Sequence, residues 1–188
     1  MKKEIITING GLGSGKSSTA NMVAEKLGFT RFSSGDFFRQ AGLELGLSIN
    51  EINKKAESEP RIDEIIDEKL RGLGDKEKIV IDSRLAYHWI PESFKVYLDL
   101  PPEIAKGRIL NSIKENLLRQ QSEQISTIEK VCEKMTARFE SEQKRYWDLY
   151  KINNTEKTNY DLIVDTNKNN LQEVVDIIVA EYKKWKEN

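Results

Sequence analysis

One motif limits what this chain can fold into more than any other feature of its sequence. Residues 10–17 read GGLGSGKS and match the pattern G-x-x-x-x-G-K-[ST]. The motif directly follows the apolar run Glu4–Asn9 and directly precedes a helical pattern from Lys16 to Leu27. A loop of this kind between a strand and a helix is a phosphate-binding loop, or P-loop, because its N–H groups and the helix dipole both favour an anion. The motif therefore predicts nucleotide binding.

Each part of the P-loop has an expected task. Its main-chain N–H groups hold a triphosphate, the Lys16 ammonium reaches the β- and γ-phosphates, and the Ser17 hydroxyl takes one position on Mg²⁺. We therefore expect ATP to contact the loop and the start of the helix, namely Gly10, Gly11, Leu12, Gly13, Ser14, Gly15, Lys16, Ser17 and Ser18.

Short apolar runs separated by helical patterns predict the fold class. The runs are rich in β-branched or aromatic residues, and they cover Glu4–Asn9, Thr30–Ser33, Ile79–Asp82, Lys95–Leu100 and Asp161–Asp165. Almost continuously apolar runs that alternate with helices are typical of a parallel sheet covered on both faces. The sequence therefore predicts an α/β fold of the P-loop NTPase type, with three layers in the order αβα.

Two polar, mostly helical stretches interrupt the alternation of strands and helices. They are Ala41–Leu73 and a segment at about 111–135. Because they have little apolar surface to bury, we expect mobile flaps rather than core. The 188 residues are then a single domain, residues 1–188, with its core at 1–40, 74–110 and 136–188.

The composition argues against several classes of function. The net charge of −1 and the lack of a basic stripe argue against nucleic-acid binding. The first apolar run stops at Gly10, too early for a spanning helix or a secretory signal. The one cysteine, Cys132, excludes an internal disulfide and a zinc-clipped lid. We expect a cytoplasmic monomer that binds small-molecule nucleotides and neither nucleic acid nor a membrane.

Two arginines that follow predicted strands indicate a second anion opposite the triphosphate. An acceptor that is already a phosphate monoester is ionised at neutral pH and needs no general base, so the main task is to neutralise charge. Guanidinium groups bind phosphate bidentately and stay charged when buried. Arg39 follows the second strand and Arg84 the third, at the sheet edge where α/β proteins bind ligands. Both are expected to hold the acceptor's phosphate.

Three further arginines are candidates for the transferring phosphoryl group. Arg108 lies on the helix after the fourth strand, while Arg138 and Arg145 lie seven residues apart and share a helix face to within about 20°. With Lys16 they form the predicted catalytic set. Asp82 ends the third strand and is expected to orient Mg²⁺ through water.

Beyond the P-loop, several segments match one known family in order and spacing. They are residues 33–39 (SSGDFFR), 81–86 (IDSRLA), 94–99 (FKVYLD), 138–146 (RFESEQKRY) and 160–166 (YDLIVDT). With these segments the chain resembles the short cytidylate kinases of the archaeal type and their bacterial relatives, within the nucleoside monophosphate kinases. The resemblance runs over almost the whole length.

The resemblance implies a five-stranded parallel core, an acceptor-binding insert over 41–73 and a small lid at about 111–135. It also implies Mg-ATP as the donor and CMP or dCMP as the acceptor. The segment that carries Arg39 adds Ser34 and Asp36 to the residues expected at the acceptor.

Other functions stay open at this point. The chain can be a P-loop kinase for another small acceptor, such as AMP, UMP or a non-nucleotide. It can also be a nucleotide-binding module without catalysis. The arginines argue against the latter, because a protein that only binds ATP has no use for guanidinium groups at an acceptor site.

Overall fold

The computed structural model describes residues 2–120 and 125–187, with side chains for all of these except 112–120, 125–129, 131 and 132. Its middle layer is a five-stranded sheet in which every neighbouring pair is parallel, which confirms the predicted fold class. The sheet order is β2-β3-β1-β4-β5, and the strands are β1 Ile5–Gly10, β2 Thr30–Ser33, β3 Ile79–Asp82, β4 Phe94–Asp99 and β5 Leu162–Asp165.

Eight α-helices within the described residues cover the sheet and form the inserts. They are α1 Lys16–Leu27, α2 Ser34–Glu44, α3 Ile49–Ala56, α4 Arg61–Gly72, α5 Ala86–Trp89, α6 Pro102–Gln120, α7 Ile125–Tyr150 and α8 Leu171–Glu187. Local signals set several of their ends. Gly28 follows α1 with a left-handed φ of 67°, and Ser48 and Glu51 form a reciprocal capping box at the start of α3.

The strand register brings the functional segments to one edge. Asp82, the last residue of β3, pairs with Ser33 at the end of β2 and with Ile8 of β1. On the other side of β1, Gly10 pairs with Leu98 of β4. Since all strands are parallel, the P-loop leaves β1 beside the ends of β2 and β3.

Alternate residues of β1 enter two separate cores. Ile6 and Ile8 pack with α1 and α8, whereas Ile5 packs on the opposite face with α2, α3 and α4. All three isoleucine side chains are fully buried, so β1 is covered on both faces. This burial explains the nearly continuous apolar run in the sequence.

The insert at 41–73 is packed more tightly than its polar sequence predicts. It contains the end of α2 and all of α3 and α4, and Ile52, Ile66 and Leu70 from it are at most 2% exposed. Its apolar residues lie on one face of each helix and join the core below the sheet. The expectation of little buried apolar surface was therefore wrong for this segment.

Buried polar contacts tie α4 to α5 and α7. The Asp67 carboxylate accepts hydrogen bonds from Trp89 Nε1 at 3.0 Å and from the Tyr150 hydroxyl at 2.6 Å. Burial raises the pKa of Asp67 to about 6, although the two hydrogen bonds favour the charged carboxylate and act in the opposite direction. These contacts hold the C-terminal end of α7 against the insert.

The predicted lid, at about 111–135, lies for the most part outside the residues whose side chains are described, and it stays a prediction. Within residues 2–120 and 125–187, no helix combines the length and the apolar content needed to cross a membrane.

Candidate active site

A cavity of about 390 Å³ opens at the carboxyl edge of the sheet. The P-loop, the start of α2, the loop after β3, and helices α3 and α7 form its walls. The predicted residues that line it are Leu12, Gly13, Ser14, Gly15, Lys16, Ser17, Ser18, Ser34, Arg39, Asp82, Arg84 and Arg138. The structure therefore brings most of the P-loop and most of the predicted arginines to one place.

A second, larger and more apolar cavity of about 1030 Å³ lies on the other side of the P-loop, against α6 and α7. Gly11 and Leu12 are the predicted site residues that line it. Lys106 and Lys157 line it, whereas no arginine does so among the described residues, unlike in the first cavity.

Close packing at Gly10 explains why the loop begins with glycine. A Cβ atom there would lie 2.6 Å from both the Leu98 carbonyl oxygen and Ser14 Oγ. Gly13 and Gly15 have φ angles of 73° and 84°, in the left-handed region that disfavours other residues. The glycines thus let the chain turn tightly above β4 and start α1 with free N–H groups.

Lys16 lies against the loop that it serves. Its Nζ donates hydrogen bonds to the carbonyl oxygens of Gly10 at 2.8 Å and Gly11 at 3.2 Å. Burial, and next the positive charge of Arg84, lower the pKa of Lys16 to about 7. Near neutral pH this ammonium is therefore only partly charged.

Ser17 and Asp82 lie together, as a shared magnesium site requires. Ser17 Oγ donates to Asp82 Oδ2 at 2.6 Å, and Asp82 is only 5% exposed. Both offer hard oxygen donors, and Mg²⁺ in phosphate sites is held by one or two protein oxygens with phosphates and waters. The residues therefore fit the ion.

Arg31, which sequence reasoning missed, shares the Asp82 carboxylate. Its NH2 donates to Asp82 Oδ2 at 3.1 Å, and its NH1 donates to Asp36 Oδ2 at 3.3 Å. Asp36 also accepts from Arg39 and does not line the cavity. Asp36 thus contacts two arginines, a location that differs from the expected contact with the acceptor.

Glu142 holds two of the cavity's arginines. Arg84 Nε donates to Glu142 Oε2, and Arg138 Nε lies 3.5 Å from Glu142 Oε1. Glu142 is 9% exposed, so its charge lies in a poorly solvated place where ion pairs are strong. The spacing of four residues after Arg138 on a helix was the available signal for this pair.

Arg145 and Arg108 lie outside the cavity, which differs from their predicted placement. Arg145 is buried, and its Nε donates to Asp63 Oδ2 at 2.7 Å. Seven residues advance about 10 Å along a helix, which takes Arg145 from the cavity to the contact with α4. Arg108 donates to the carbonyl oxygen of Thr166, in the loop after β5.

Comparisons with known proteins identify the family of this chain. A family model described as an AAA domain matches residues 6–129. The cytidylate kinase of Archaeoglobus fulgidus is 35% identical over 96% of this chain and 97% of its own length. The cytidylate kinase of Haloquadratum walsbyi is 34% identical over 94% of this chain and 88% of its own length. The chain belongs to the cytidylate kinase family. It is a P-loop phosphotransferase of the nucleoside monophosphate kinase group.

A longer relative shares the same portion of sequence. An S-adenosylmethionine-dependent nucleotide dehydratase of Lacinutrix mariniflava is 37% identical over 97% of this chain, but the chain spans only 36% of that protein. The match therefore concerns about a third of the dehydratase.

Solved structures support the fold. The shikimate kinase of Acinetobacter baumannii superposes with a TM-score of 0.63 over 99% of this chain and 96% of that chain, at 17% identity. The shikimate kinase of Aquifex aeolicus gives a TM-score of 0.59 over 95% and 96%, at 19% identity. At such low identity the likeness extends to the fold alone.

The lowered pKa of Lys16 predicts that nucleotide binding takes up a proton. A bound triphosphate favours the charged ammonium and raises its pKa, so at pH 8 we expect uptake of roughly 0.5–1 proton per Mg-ATP bound. At pH 6 Lys16 is already charged without nucleotide, and the uptake by this group falls toward zero. Titration calorimetry in two pH 8 buffers with different ionisation enthalpies measures the number of protons.

Lys16→Arg is the matched control, because arginine stays charged at every accessible pH and has no proton to take up. Equal binding heats for the wild-type protein in both pH 8 buffers would contradict the expected uptake.

Proposed function

We propose that the protein transfers the γ-phosphoryl group of Mg-ATP to CMP or dCMP and so produces CDP or dCDP. The observation that carries the proposal is the cavity in which the P-loop faces Arg39, Arg84 and Arg138. A P-loop needs no such group of arginines to bind ATP alone. A kinase brings two polyanions together, and they can approach each other only if cations neutralise their charge.

Arg39 and Arg84 are assigned to the acceptor's phosphate. Both follow strands on the β2–β3 side of the P-loop, and both line the cavity together with Ser34. Arg84 is fixed by Glu142, whereas the Arg39 side chain is 56% exposed. Arg84 therefore provides a preorganised contact, whereas Arg39 can adjust to the incoming acceptor because its pair with Asp36 is exposed to solvent.

Lys16 and Arg138 are assigned to the phosphoryl group in transfer. An oxygen of the acceptor phosphate attacks the γ-phosphorus, the bond to the β–γ bridging oxygen breaks, and ADP leaves. Charge on the equatorial oxygens is neutralised by Lys16 of the P-loop and by Arg138 of α7, which both line the cavity. The nucleophile is already ionised, so no general base takes part.

Mg²⁺ belongs to the donor in this proposal. Ser17 would hold it directly and Asp82 through water, with the remaining positions filled by phosphate oxygens and water. When bound, the ion would supply positive charge that offsets the charge of the donor's phosphates during transfer.

The domain roles follow from the same assignment. The core comprises 1–40, 74–110 and 136–188, the insert at 41–73 contacts the acceptor, and the segment at about 111–135 acts as a small lid. Asn53 and Ile49 of the insert line the cavity, which supports its contact with the acceptor.

The choice of a cytidine acceptor rests on the archaeal relatives, which are named cytidylate kinases. The arginines recognise phosphate and leave the base open, so a kinase for AMP, UMP or a non-nucleotide is the alternative. A panel of Mg-ATP with CMP, dCMP, UMP and AMP separates these activities. We expect CDP and dCDP to form fastest. If CMP were turned over no faster than UMP and AMP, or not at all, the cytidylate assignment would be wrong.

Removal of Arg84 should abolish most of the transfer without removing the donor. We expect Arg84→Ala to lower kcat/KM for the acceptor by about 10²–10³-fold, because a preorganised cation at the acceptor phosphate is lost. The affinity for Mg-ATP, measured by calorimetry, should change little.

Arg61→Ala is the control, since Arg61 lies on the exposed face of α4 with 72% of its side chain accessible. If Arg84→Ala kept full turnover, or lost it only together with ATP binding, the assignment of Arg84 to the acceptor would be wrong.

A further inference from the structure

Helix α3 supplies one wall of the cavity beyond the arginines. Ile49 and Asn53 lie four residues apart, hence on one helix face, and both line the cavity. Phe38 of α2 and Tyr146 of α7 line it as well. If the acceptor's phosphate meets Arg39 and Arg84, as proposed above, its base extends toward this more apolar part.

Asn53 is a buried polar side chain whose amide oxygen makes no hydrogen bond to a described residue. It is 5% exposed, and its Nδ2 donates to the carbonyl oxygen of Ile49 at 2.7 Å. Its Oδ1 is buried without a hydrogen-bond partner among the described residues. An unpaired buried acceptor is costly, and such groups in folded proteins call for a partner.

The orientation of the Asn53 amide is determined by its own helix. Turning the amide over would place its oxygen against the Ile49 carbonyl oxygen, and two acceptors repel each other. The unpaired oxygen that Asn53 offers a ligand is a hydrogen-bond acceptor. This oxygen can accept a hydrogen bond from a donor group of the ligand, and it repels an acceptor group at the same position.

Arg145 of α7 contacts the backbone of α3 at Asn53. Arg145 NH1 lies 3.5 Å from the Asn53 carbonyl oxygen, and the same guanidinium is paired with buried Asp63 of α4. Arg145 NH1 also donates to Ser141 Oγ at 2.8 Å. From its place outside the cavity, Arg145 of α7 thus contacts both α4 and α3, and it helps to position the helix that carries Asn53.

We propose that Asn53 Oδ1 accepts a hydrogen bond from the exocyclic amino group of the acceptor's base, and that it thereby selects cytosine over uracil. Cytosine presents an amino donor at the position where uracil presents a carbonyl acceptor. The amino group satisfies the buried oxygen, whereas the uracil carbonyl would face it with like polarity. This inference rests on the proposed function and names the residue that reads the base.

The test compares acceptors in the wild-type protein and in Asn53→Ala. We expect the substitution to lower the ratio of kcat/KM for CMP to kcat/KM for UMP by about 10- to 100-fold, mainly through loss of CMP turnover. Asn50→Ala is the matched control, because Asn50 is an exposed asparagine on the same helix. An unchanged ratio in Asn53→Ala would overturn the inference while leaving the proposed function intact.

A second probe needs no variant. The monophosphate of the pyrimidin-2-one ribonucleoside is CMP without its exocyclic amino group. The wild-type protein should phosphorylate it at least about tenfold less efficiently than CMP. Equal efficiency would overturn the role of the amino group. A wild-type protein that binds Mg-ATP but phosphorylates no pyrimidine nucleotide would overturn the proposed function itself, and this inference with it.

Discussion

The repulsion among cations in one small cavity is the constraint on which the rest of the site depends. Lys16, Arg39, Arg84 and Arg138 all line a space of about 390 Å³. At an effective dielectric constant near 20, two like charges 4 Å apart repel each other by about 4 kcal/mol. Burial is the main cause of the lowered pKa of Lys16, and the positive charge of Arg84 lowers that pKa further.

Two buried carboxylates and the substrates together balance these charges. Glu142 pairs with Arg84 and Arg138, while Asp82 pairs with Arg31 and accepts from Ser17. Among the described residues that line the cavity, four cations are present with two carboxylates, and this surplus of positive charge favours phosphate-bearing ligands. The fold places the four cations on four different segments, because Lys16 lies on α1, Arg39 on α2, Arg84 in the loop after β3 and Arg138 on α7.

The parts of this arrangement that lie within one continuous segment could be predicted from the sequence. The P-loop was identifiable because a single run of residues, 10–17, specifies both the turn and its ligand. The sheet was predictable because burial on both faces leaves apolar runs. Asp82 and Arg84 were found because they end or follow such a run, and strand ends share one edge.

Contacts between distant segments were out of reach. Arg145 shares a helix face with Arg138, yet it pairs with Asp63 of another helix. Sequence periodicity shows which residues share a face of one helix, but it does not show which other segment that face contacts. The same limit concealed Asn53, whose importance depends on an oxygen left unpaired by tertiary packing. Asp36 lies in a matched segment, but its neighbours Arg31 and Arg39 occupy its carboxylate.

The central claim is that one cavity holds a triphosphate and an acceptor phosphate at the same time. A bisubstrate compound that links adenosine and cytidine through five phosphates tests it directly by titration calorimetry in the presence of Mg²⁺. Simultaneous occupation of both subsites predicts binding at least about 10²-fold tighter than that of either ATP or CMP alone. Binding no tighter than that of ATP would contradict the account, because the second anion would then have no place opposite the P-loop.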